Sequence, residues 1–159
     1  MTAFSPPTRH DILELCMNLR SVDEYEIFAV TGSREPSHIV EVITNSVEDS
    51  GVRCAAARDD EGHLLCIFGV TPQGVLGWRG VPWLLATDRL DENRRELLVR
   101  ARWIVNDMKR EFLVLENVVW EKNEKSIRFL TALGFEFGDP VVNPLSGEKL
   151  MHFRMDANV

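Results

Sequence analysis

Apolar positions recur at helical spacing over residues 8–20, where Ile12, Leu13, Cys16 and Leu19 share a face and Thr8 or Asp11 is available as a cap. A short apolar run follows at 25–30. The helical pattern returns over 33–50 through Ile39, Val40, Ile43 and Val47, with Pro36 in the first turn and Gly51 as a stop. Three strand-like runs come next. Residues 52–58 alternate, with Val52, Cys54 and Ala56 on one face, and 59–62 read as a turn. Residues 63–70 are nearly all apolar, as in a central strand covered on both faces. Pro72, Gln73 and Gly74 turn the chain again. The third run, 75–86, is broken by Gly77, Gly80 and Pro82, which predicts a bulge or kink. Leu97, Leu98, Ala101, Ile104, Val105 and Met108 form a stripe along the strongest predicted helix, 88–110. A strand over 112–120, a helix over 123–133 stopped by Gly134, a loop over 139–148 and a last strand over 150–155 complete the pattern.

No repeat, low-complexity tract or long linker divides these elements. The 159 residues therefore read as a single domain, 1–159, with residues 1–10 as a flexible N-terminal arm. The net charge of −7 argues against phosphate-backbone binding by the whole surface. Arg89, Arg94, Arg95, Arg100 and Arg102 alternate with Asp88, Asp91, Glu92 and Glu96, as on a solvated helix face or a local binding patch. No run is long and apolar enough to cross a bilayer, and the first ten residues lack the apolar core of a signal peptide.

Candidate chemistry is sparse. Cys16, Cys54 and Cys66 each sit in an apolar pattern and read as buried thiols. His10, His38, His63 and His152 show no ligand spacing, so no metal is expected. Glu116 stands within a predicted strand, as a general base or as a solvated carboxylate. Trp78 and Trp103 are candidate partner-binding residues, with intramolecular packing as the alternative.

Three antiparallel strands followed by strand–helix–strand resemble the GNAT (Gcn5-related N-acetyltransferase) fold, over roughly residues 41–155; the specific part is 123–135, Asn123 through Gly134 and Phe135. The resemblance implies an α+β fold, with a mixed central sheet whose central strands splay and flanking helices. It places acetyl-CoA in the gap, its diphosphate on a Gly-rich turn opening the next helix. The corresponding turn, 86–94, contains Ala86, Thr87 and Asp88, has no glycine, and carries the carboxylates Asp88, Asp91 and Glu92. These suit a bare helix N-terminus and would repel a phosphate, so Thr87 or Asp88 reads as an N-cap and the cofactor site as degenerate. In the second motif Asn123 matches, Ser126 replaces an alanine, and Leu130 falls where the family places the tyrosine that protonates the departing thiolate. The one tyrosine, Tyr25, lies in the other half of the chain.

Residues 83–88, 117–120, Asn123, 126–130 and Gly134 also resemble a small internal virion protein family of T-seven-like short-tailed bacteriophages. That resemblance implies a non-catalytic virion or assembly protein without a cofactor, in contact with other virion proteins, in the particle or the host bacterial cytoplasm. A homo-oligomer stays open. The alternative is an acetyl-CoA-dependent N-acetyltransferase modifying a protein or small amine, with Glu116 as its base.

Overall fold

A seven-stranded mixed sheet carries five helices in the computed structural model, which describes residues 4–157. Helices α1 (Arg9–Asn18), α2 (Ser21–Thr31) and α3 (Pro36–Ser50) come first. Strands β1 (Cys54–Arg58), β2 (Leu64–Gln73) and β3 (Arg79–Ala86) form an antiparallel meander. A 3₁₀ turn (Asp88–Asn93) leads into α4 (Arg94–Glu111), and β4 (Val114–Trp120), α5 (Glu124–Leu133), β5 (Glu136–Phe137), β6 (Val141–Val142) and β7 (Lys149–Asp156) follow. The strand order is β1-β2-β3-β4-β7-β5, with β6 also on β7.

Local chemistry accounts for most boundaries. Thr8 caps α1 through a reciprocal pair: its Oγ1 accepts from Asp11 N, and Asp11 Oδ2 accepts from Thr8 N at 2.7 Å. Asn123 caps α5 by accepting from Ser126 N, and Gly134 closes it at φ +99, a left-handed conformation that glycine adopts without penalty.

Four boundaries differ from the sequence pattern. The run at 25–30 is the body of α2, whose apolar residues point several ways and so carry no clean helical period. Val52 is 97% exposed in a 3₁₀ turn, and β1 starts at Cys54. Strand β2 continues through Pro72 to Gln73, and the turn falls later, at Gly74 and Gly77. The helix expected over 88–110 is two pieces, because the Thr87 hydroxyl donates to Leu64 O at 2.9 Å instead of capping. Of the proposed N-terminal arm, residues 1–3 lie outside the described residues; Ser5 bridges to Ala56 and Phe4 packs edge-on against Phe68.

Two apolar layers sandwich the sheet. Leu15, Ile27, Ile39, Ile43 and Ile67 fill one side under α1–α3. Val105, Phe112, Leu115, Val119, Phe135 and Phe153 fill part of the other, under α4 and α5. Gly80 permits that packing where β3 meets β4: a Cβ there would lie 2.8 Å from the Phe112 ring and from Val70. Among the described residues, no helix is long and apolar enough to cross a membrane.

Candidate active site

The parallel strands β3 and β4 pair only at Arg79 with Val114 and Gly80 with Leu115, then diverge. Such a gap exposes backbone polar groups that need partners. In β3, strand alternation turns the backbone groups of Pro82, Leu84 and Ala86 away from β2 and toward the gap. Ala86 N donates to Asp23 Oδ2 at 2.8 Å, and Ala86 O accepts from Arg20 N at 2.9 Å. Pro82 O accepts from Asn117 Nδ2 at 2.9 Å, so that one β4 side chain ties both strands at the throat. On β4, Val118 N donates to Asn117 Oδ1 and Trp120 N to Glu26 Oε1, at 2.8 and 2.9 Å. Among these edge residues of β3, Leu84 keeps an N–H and C=O turned into the gap.

Helix α2 therefore staples the open end of the splay. Asp23 holds the end of β3 and Glu26, one turn later, the end of β4. Asp23 is buried and gripped by Arg20 through two 3.0 Å contacts. Burial nonetheless raises its carboxyl above the usual range.

Glu26 differs in having no cation at hydrogen-bond distance among the described residues. Both of its hydrogen bonds, from Trp120 N and from Asn123 Nδ2 at 3.2 Å, go to Oε1; among the described residues Oε2 accepts none. Burial pushes its carboxyl up to about 7, against the Trp120 bond and with help from the Asp23 charge.

A cavity of about 650 Å³ lies at the gap and is lined by residues from both faces of the sheet. Under α4 and α5 it is lined by Arg94, Lys125 and Arg128, with Ser126, Phe129 and Leu130 deeper. Asp91 lies in this mouth, but Lys125 at 2.5 Å, Arg94 at 3.3 Å and Arg20 at 3.6 Å surround it. Burial alone would raise the Asp91 carboxyl; these cations overcome it and hold the group below its usual range. Toward α2 and α3 the lining is Glu26, Ile27, Val30, Val42, Trp83 and Val118.

The residues named from sequence are dispersed. Ala86 and Thr87 are buried, Asp88 is exposed, and none of the three lines the cavity. Asn123 is fully buried behind Glu26. Glu116 is buried in an ion-pair cluster with Arg79, His152 at 3.0 Å and Arg154 at 3.8 Å, away from the cavity, and is not a solvated carboxylate. Tyr25 stacks on Trp120 and donates to Glu148 at 3.0 Å, so it does not stand in for Leu130. Trp78 and Trp103 are 42% and 73% exposed and outside the cavity. Cys66 is enclosed, and burial pushes its thiol up to about 12. Sequence reading passed over Asp23 and Glu26. Their signal was the spacing of Asp23 and Glu26, three apart on the helical face that also carries Ile27 and Val30.

No family model matches the sequence, and no curated protein matches it. Solved structures do match over the whole chain. A protein assigned as a phosphinothricin N-acetyltransferase superposes with a TM-score of 0.70 at 12% identity, covering 99% of each chain. Spermidine N-acetyltransferase of Vibrio cholerae, in complex with CoA and spermine, gives 0.66 at 10% identity, over 98% of this chain and 95% of that one. A GCN5-related N-acetyltransferase of Kribbella flavida gives 0.65 at 18%, over 97% and 96%. The fold is that of the GNAT N-acetyltransferases, as residues 123–135 suggested. The expected non-catalytic phage virion protein is overturned: these neighbours are N-acetyltransferases, and none of the comparisons supports the virion family.

Proposed function

We propose that this protein transfers an acetyl group from acetyl-CoA to an amine. The observation that carries the reading is the cavity at the β3–β4 gap, cationic at one mouth and holding the Glu26 carboxylate within. The coenzyme's fit can be judged from the side chains present. A diphosphate cradle of glycine amides is missing from 86–94, and the Ala86 amide is committed to Asp23. Charge supplies an alternative, since Arg94, Lys125 and Arg128 face the α4–α5 mouth and outnumber Asp91. These three would hold the phosphates, and the open N–H and C=O of Leu84 would pair with an amide of the coenzyme's arm.

When bound, acetyl-CoA supplies an activated acetyl thioester. The chain's own contribution is proton handling and placement. An amine attacks only when neutral, and Glu26, with its carboxyl near 7 and Oε2 unbonded, is suited to take the proton from an ammonium. Asn117 fixes the width of the throat by bonding both strands. Leu130 donates no proton, so this chain leaves protonation of the departing sulfur to water.

The test is release of free thiol from acetyl-CoA in the presence of amines, followed between about pH 5 and pH 9. Amine-dependent release with a rising limb near 7, lost in Glu26→Gln, is expected. Absence of amine-dependent release over that range would overturn the proposal.

A further inference from the structure

The cavity's half under α2 and α3 is chemically unlike the half under α4 and α5, and the difference bears on the acceptor. Its walls are the side chains of Ile27, Val30, Val42, Trp83 and Val118. The polar groups among them are spent. Thr31 Oγ1 donates to Ile27 O at 2.7 Å and Ser46 Oγ to Val42 O at 2.8 Å, each back onto its own helix. Trp83 Nε1 donates to Ser50 Oγ at 2.9 Å. Arg20 and Asp23 neutralise each other. Among the side chains of the described residues that line this half, Glu26 alone is left with an unbonded carboxylate oxygen.

We infer that the acceptor is an apolar monoamine, one ammonium on a hydrocarbon or aryl body, and neither a polyamine nor an amino acid. The inference rests on the acetyl-transfer reading above and narrows it. A polyamine carries further ammonium groups, each needing a carboxylate when taken out of water, and this half offers one. An amino acid carries a carboxylate that needs a cation, and Arg20 is already engaged by Asp23. An apolar body gains from the Ile27, Val42 and Trp83 walls what a charged one would lose there. In each turnover a new N–C bond replaces the C–S bond. Of the two protons the ammonium gives up, one leaves through Glu26 to solvent and one ends on the coenzyme sulfur.

Calorimetric titration of the full chain with phenethylamine, spermidine and phosphinothricin at about pH 8 tests this without requiring turnover. Phenethylamine is expected to bind at least about tenfold more tightly than either of the others. Ser46→Asp, which adds a second carboxylate to this half, is expected to shift the preference toward spermidine by about tenfold. Spermidine or phosphinothricin binding as tightly as phenethylamine, or no amine binding at all, would overturn the inference. A parallel titration with acetyl-CoA keeps the two claims apart. Coenzyme binding without the amine preference sinks the inference alone, whereas the amine preference without coenzyme binding leaves an apolar-amine site but sinks the transferase reading and the acceptor role with it.

Discussion

Replacing Glu26 with Gln removes a titrating group while keeping an oxygen to accept from Trp120 N and Asn123 Nδ2. The native carboxyl is raised from 4.5 to about 7 by burial. A carboxyl raised in the folded state binds its proton more tightly there than in the unfolded chain. It therefore costs nothing below about 4.5, costs progressively more as pH rises, and reaches its full penalty above about 7. A rise of that size corresponds to about 3 kcal/mol. Water reaching the group through the cavity reduces this to about 2 kcal/mol. Glu26→Gln is thus expected to gain stability over the native protein as pH rises, by about 1–2 kcal/mol between roughly pH 5.5 and pH 8.5. Urea unfolding of both proteins at the two pH values reads this directly, because other titrating groups cancel in the difference. A stability offset that does not change with pH would refute the placement of Glu26 as a half-buried carboxylate without a cation at hydrogen-bond distance. The same variant is expected to lose acetyl transfer, so one substitution stabilises the fold and removes the chemistry.

Leu130→Tyr introduces a phenol where the resemblance to the GNAT fold places an acid; thiol release is expected to rise tenfold or more, with a new basic limb in the pH profile, and an unchanged rate would show that this position does not face the sulfur. Asn117→Ala removes the tie between Pro82 O and Val118 N; a loss of about 1–3 kcal/mol in urea unfolding is expected, and a loss below about 0.5 kcal/mol would mean that the strands hold their separation without it. Gly80→Ala drives a methyl into the Phe112 ring and Val70, for an expected cost of about 1–3 kcal/mol; a neutral change would mean that the β3–β4 junction is looser than described.

What the sequence disclosed follows the range of each interaction. The stripe from Leu97 to Met108 and the frame of Asn123 and Gly134 are local signals, and both fell where they belong within a few residues. Thr8 likewise caps α1 through a partner three positions away. Thr87 stands at the N-cap position, as read, but its hydroxyl has another acceptor, Leu64 O, across the sheet. Glu116 has the right residue type in the right strand, but its place along β4, beside the paired end of the two strands, brings it to Arg79 and His152 rather than to the gap. Glu26 was overlooked for the same reason in reverse. Its partner Trp120 N lies 94 positions away, so nothing near it in sequence marks it as the end of a splayed strand. The missing glycines and the carboxylates at 88–92 were read as hostile to a diphosphate. Folding brings Arg94, Lys125 and Arg20 around Asp91, and two of those three are remote from it in the chain.

Most of this depends on whether the gap between β3 and β4 takes a thioester coenzyme at its cationic mouth. Isothermal titration of acetyl-CoA into the native protein and into Lys125→Glu decides it. Saturable binding in the micromolar range is expected, weakened about tenfold or more by the charge reversal. No binding, or equal affinity in the two proteins, would contradict it.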